Sequence, residues 1–183
     1  MAVFMLSLVV ILILLYGIYG GARRGIYLQG MYTVGYFIAL IAALLGYRAL
    51  GPHLDLWVPY PSASMNSFFA FFTTTSGLDL DQPYYNACAF LLIFVIGWLI
   101  VHIVMLWFTP MQFMPVTDAL NSVGGMLLGF ICQYMAVFMA IYFVALIPID
   151  GMQHALANSW MARMMMATPG LSQVFLHWWV LSV

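Results

Sequence analysis

The chain has 183 residues, 66% of them hydrophobic and only 5% charged, with a formal net charge of -1 and neither Lys nor Glu. Soluble domains carry about a quarter charged residues, so an ordinary soluble fold is excluded, and the lack of a basic stripe excludes nucleic-acid binding. The apolar residues come in runs long enough to span lipid, so the expected fold is an all-α integral membrane protein.

The first predicted span covers about residues 3–20 and is almost wholly aliphatic. Its lone clearly polar side chain, Ser7, can bond its own backbone carbonyls. Signal peptides place positive charge before the apolar region, whereas here Arg23 and Arg24 follow it, so an uncleaved first span is expected. The stretch Gly17 to Gly25 is then a short basic turn. A second span, about 26–50, carries Gly30, Gly35 and Gly46, which membrane helices tolerate. Gly51-Pro52 ends it.

Residues His53 to Tyr85 hold Asp55, Asp79 and Asp81 and an apolar patch, Phe68-Phe69-Ala70-Phe71-Phe72, too short to cross a bilayer. An interfacial helix is preferred over a re-entrant piece for this region, 63–75. A third span covers about 87–108, a polar link runs from Thr117 to Ser122, and a fourth span covers about 124–147. Pro148-Ile149-Asp150-Gly151 stops it. Residues 152–183 form a membrane-surface tail, with Leu176-His177-Trp178-Trp179 as an interface anchor. Four transmembrane helices with an interfacial C-terminal segment, in a single domain, is the architecture this implies.

Orientation follows from the arginines. Arg23 and Arg24 sit in the very short first loop, where the positive-inside rule acts most strongly, so that loop is cytoplasmic and both termini lie outside.

Gly17, Gly21 and Gly25 are spaced by four, as are Gly125 and Gly129. Such spacing puts small residues on one helix face and lets a neighbouring backbone approach, either within the chain or in another copy. His102 and Gln133 are polar groups inside spans, at depths differing by roughly 6 Å, and could form a sparse polar pathway. Under this topology Cys88 and Cys132 lie too far apart to bridge. The five aspartates lie in loops or at span ends, and no His-Glu-x-x-His or Gly-x-Ser-x-Gly motif occurs. No catalytic residue, metal site or cofactor is expected, and the methionines, Met164-Met165-Met166 included, read as packing residues.

An N-terminal span ending in Gly17, Gly21, Arg23, Arg24 and Gly25, followed by a second span, resembles the colicin V production (CvpA) family. That family's Asp-x-x-x-Gly-x-x-x-Gly before the fourth span appears here as Asn121, Gly125 and Gly129. A serine in a short segment after a proline corresponds to Ser159 after Pro148. Asn121 replaces the usual Asp and can still cap a helix start. The resemblance implies a small protein of the bacterial cytoplasmic membrane, non-enzymatic, an accessory or scaffold factor in colicin V or bacteriocin production and envelope homeostasis. Some members carry an outward-facing serine protease domain behind the four spans; none is expected here. A small oligomeric transporter or channel is the competing reading. The expected partners are the lipid bilayer and either further copies or other membrane proteins.

Overall fold

The computed structural model describes residues 2–61, 67–72, 80–113 and 118–181, and every regular element in it is helical. Helix α1 is Ala2–Leu54, α2 is Asp81–Met105, and a 3-10 stretch, Leu106–Phe113, follows. Then come α3, Asp118–Ala145, and three short helices: α4 (Asp150–Asn158), α5 (Trp160–Met166) and α6 (Leu171–Phe175). The last runs into a π turn, Leu176–Val180.

Among the described residues three helices are long and apolar enough to cross a membrane, where four spans were expected: Met5–Leu54, Asp81–Pro110 and Ala119–Ala145. The difference lies in α1, which runs through both of the first two expected spans. At about 1.5 Å per residue a straight helix of this length would extend roughly 80 Å, far beyond a hydrocarbon core of about 30 Å. It is not straight. Gly25 has φ 75° and ψ 170°, a region essentially closed to other residues, and interrupts the helical backbone there.

The neighbours on either side of Gly25 reveal a reversal. Going up arm 2–24, Gly17 faces Gly129, Gly21 faces Gly125, and Gly25 faces Asn121, so this arm is antiparallel to α3. Along arm 26–54, Ile26 meets Gly124, Gly30 meets Leu128 and Thr33 meets Cys132, so this arm is parallel to α3. The long helix is therefore a hairpin whose turn is a single residue. Helix α2 returns antiparallel to the second arm, through Gly35 with Val101, Ala39 with Gly97 and Gly51 with Asn86. It barely meets α3, because the α1 hairpin takes up most of the contacts of both.

Several expected boundaries move. Helix α1 continues past Gly51-Pro52 to Leu54, and α2 begins at Asp81 rather than near residue 87. Asp118 to Ser122, expected as part of a link, form the first turn of α3. Of the region 63–75, only 67–72 lie among the described residues. They are not helical, and Phe69 is buried, so this part of the aromatic patch is a packed loop and not an interfacial helix.

The tail buries one side of itself against the bundle and leaves Trp160, Met164 and Leu181 exposed. Trp179 is fully buried, with its ring 5.4 Å from Phe90 and 5.5 Å from Tyr142, and Phe175 fills the space beside it. An aromatic plug of this kind is a core element, so Trp179 is no headgroup anchor. Residues 150–180 fold back over the end of the bundle far from Gly25.

Gln153 locks this end. It is wholly buried. Its Nε2 donates to the carbonyls of Ala145 (3.1 Å) and Ile147 (2.7 Å), which the end of α3 leaves without helical partners, and its Oε1 accepts from Ala70 N–H (2.9 Å). Tyr60 donates to Leu146 O at 3.3 Å, and burial, aided by Asp81, pushes its pKa up to about 12, so it stays a neutral donor at physiological pH. Replacing Gln153 by Leu removes the donor to Ala145 O and the acceptor for Ala70 N–H, while Ile147 O keeps the Ile149 N–H at 2.8 Å. We expect a loss of about 2–3 kcal/mol, read as an earlier unfolding midpoint in detergent; an unchanged midpoint would mean water replaces the amide at no cost.

Candidate functional site: a glycine seam and a polar groove

The seam is where arm 2–24 meets α3. A Cβ built on Gly21 would collide with the carbonyl of Gly125, and one on Gly125 with the carbonyl of Gly21. A Cβ on Gly129 would lie 3.0 Å from Gly21 Cα, and one on Gly17 would lie 2.5 Å from Gln133 Cβ. Backbone rests directly on backbone, which only hydrogen side chains permit. Gly20, on the other face of the same arm, has nothing within 4 Å of such an atom.

Asn121 joins the seam to the reversal. Its Oδ1 accepts from Ile26 N–H at 2.8 Å. Ile26 opens the second arm, and its first N–H groups lack helical acceptors, so Asn121 caps that helix from across the seam. The same side chain occupies the space a Gly25 Cβ would need. Gly25 is required twice, for its positive φ and for this contact.

The two arginines part company here. Arg23 is exposed and donates to Tyr19 OH (3.2 Å) one turn earlier. Arg24 turns inward, donates to Gln29 Oε1 (3.2 Å), and holds its guanidinium 4.3 Å above the Tyr32 ring. Both are the last residues of the first arm, where positive charge suits the helix dipole.

Arg24 lines a half-open groove of about 400 Å³ bounded by both arms of α1, by α2 and by α3. Gln29, Tyr32 and Tyr36 come from the second arm, Trp98 and His102 from α2, and Cys132 and Gln133 from α3. His102 and Gln133, the two polar groups read as a pathway, thus share one cavity. They do not bond each other: His102 Nδ1 is 2.9 Å from Trp98 O, and its ring packs against Trp98 and Tyr32. Tyr36 is 5% exposed, and its hydroxyl has no hydrogen-bond partner. Cys132 and Cys88 are free thiols, and Cys132 donates weakly to Thr33 Oγ1 (3.5 Å).

Ser159 lies away from the groove, within the tail end. Fully buried, it starts α5 by accepting from Ala162 N–H (3.2 Å), and its Oγ is 2.9 Å from Ser7 Oγ. Ser7 therefore bonds across 152 residues instead of to its own helix. No cluster of His, Cys or acidic side chains able to hold a metal exists among the described residues.

What the sequence reading missed is mostly tertiary. Gln29, Tyr32 and Tyr36 do lie at helical spacing on one face, a signal that could have grouped them with Arg24. Nothing in local sequence distinguishes Arg24 from Arg23 or pairs Ser7 with Ser159.

Residues 6–169 match the family described as Colicin V production protein. The chain belongs to that family. A curated relative, described as an uncharacterized transmembrane protein, YshB, of Bacillus subtilis (strain 168), is 30% identical over 177 residues, covering 96% of this chain and 97% of that protein. No solved structure gives a significant match. The family match takes in the whole seam, from Gly17 to Gly129, and also Ser159.

Two substitutions at neighbouring glycines separate the seam from its surroundings. Gly21→Ala should cost about 1–3 kcal/mol of stability in detergent by overpacking, while Gly20→Ala should be neutral or stabilising by up to about 1 kcal/mol. Equal effects would remove the basis for close backbone contact. At the cap, Asn121→Asp keeps the acceptor and should be tolerated. Asn121→Leu loses it and should cost about 1–2 kcal/mol by the same unfolding assay.

Proposed function

We propose that this multi-pass membrane protein is a non-catalytic accessory or scaffold factor of the bacterial cytoplasmic membrane, serving toxin production and envelope homeostasis. The observation that carries this reading is membership of the family over nearly the whole chain, joined to a bundle whose contacts serve rigidity. The outward faces of the long helices, with Leu12, Ile38, Leu45, Ile96, Ile103 and Leu127 exposed, suit lipid or the helices of partners and further copies. Deleting the gene should lower toxin export and raise sensitivity to envelope stress. Wild type and His102→Ala should restore both, and Gly21→Leu should restore neither. Solute flux in proteoliposomes that His102→Ala abolishes would instead favour a small oligomeric transporter, the reading to which the groove around His102 and Gln133 lends support.

In this reading each arm of α1 crosses the bilayer, giving four crossings with α2 and α3. The hairpin supports it, since residues 7 and 47 both reach the tail end, through Ser159 and Trp178 O. Arg23 and Arg24 stand at the opposite end, which the positive-inside rule puts in the cytoplasm, with both termini outside. Changing both arginines to Ala should scramble or invert topology. A C-terminal reporter that stays fully external in that mutant would show that the orientation has another origin.

A further inference from the structure

The groove holds a cation with no anion. Among the described residues Arg24 pairs with no carboxylate, and none lines the cavity. One hydrogen bond to Gln29 and the Tyr32 ring face leave most of its five N–H donors free. In a bilayer such a charge calls for a partner. A second feature belongs to the same lining: Tyr36 is more than nine-tenths buried, and its hydroxyl has no hydrogen-bond partner, a state that costs about 1–3 kcal/mol unless something accepts its proton. Gln133 adds an amide to the same lining.

The arrangement has a direction. Arg24 lies at the Gly25 end of the bundle, the level of one headgroup layer in a membrane. Tyr36 is ten residues beyond Ile26, about 15 Å along the arm, and helical side chains lean back toward the N-terminus, bringing its hydroxyl nearer to Arg24. The walls between are Phe94, Val95, Trp98, Val101 and Ala136. Val95 and Trp98 are exposed, as on the lipid-facing surfaces, so the mouth opens toward the bilayer and not only toward water. A ligand suited to this space carries an anionic head, an acceptor deeper in the groove, and an apolar body.

We propose that the groove binds the phosphate head of an anionic amphiphile. Arg24 forks the phosphate, with the imidazole of His102 in the same lining, and Tyr36 and Gln133 donate to an ester carbonyl beneath it. Arginine suits the head because its planar fork matches two phosphate oxygens. Binding of this kind does not depend on the accessory role proposed above: it would hold for a scaffold or for a transporter.

Full-length protein in an uncharged detergent is titrated with dihexanoyl phosphatidic acid, dihexanoyl phosphatidylcholine and inorganic phosphate, following bound ligand by calorimetry. Saturable binding of the phosphatidic acid is expected, with the other two much weaker. Arg24→Gln should weaken it about 10- to 100-fold, the worth of a charge-assisted hydrogen bond. Arg23→Gln, the same charge one residue away but outside the groove, should change it less than about twofold by surface screening. Tyr36→Phe should weaken binding about 2- to 10-fold while leaving the empty protein as stable or more stable, because it deletes an unsatisfied hydroxyl. That variant decides the matter should Arg24→Gln fail to fold. Equal losses from the two arginine variants, unaltered binding by Tyr36→Phe, or no saturable binding overturns the site. Equal affinity for inorganic phosphate overturns the amphiphile as its source, and equal affinity for phosphatidylcholine overturns its selectivity for an anionic head.

Discussion

The bundle depends on the contact between the backbones of Gly21 and Gly125. In lipid no hydrophobic force pulls apolar helices together, so association rests on van der Waals packing, hydrogen bonds and how closely the helices can come. Gly17, Gly21 and Gly25 opposite Gly129, Gly125 and Asn121 bring two helices as near as polypeptide allows. Because that seam holds the first arm against α3, the chain can reverse at one residue and lay the second arm along the same helix. Asn121 then makes the reversal affordable, satisfying the Ile26 N–H that the break exposes.

At the far end the problem is the opposite one. Helix α3 stops, short helices cover it, and their free carbonyls need donors that water cannot supply in an apolar interior. Gln153 donates to carbonyls eight and six residues back, while Tyr60 and Tyr47 donate to backbone oxygens of distant segments, Leu146 and Trp178. The Ser7–Ser159 bond ties the first arm into the same cap. These polar pins set which tail residues go inward, and they explain why Trp179, amphipathic and usually found at membrane interfaces, is instead surrounded by Phe90, Tyr142 and Phe175.

Between the two ends lies the groove, a product of the hairpin. Arg24 faces it because the helix stops at Gly25 with this residue turned toward the second arm, whereas Arg23, 100° around the helix, faces away. A pair of arginines that sequence treats alike thus divides into an outward charge and an inward one. Among the described residues the inward charge has no carboxylate partner, and the groove rather than the seam is where it sits.

Much was legible in the sequence: the membrane class, the glycine faces, the special character of Arg23-Arg24-Gly25 and the family, since apolar run length, small-residue spacing and motif order are all one-dimensional properties. His102 and Gln133 could be matched in depth because helical rise is constant. The single-residue turn was not legible, since a glycine between two helices looks the same whether the chain bends gently or reverses. The inward tail, the Gln153 cap, the Ser7–Ser159 bond and the divergence of the two arginines were decided only by tertiary structure. Each joins residues far apart in the chain or separates neighbours by their angle around a helix, and neither relation has a signature in local sequence.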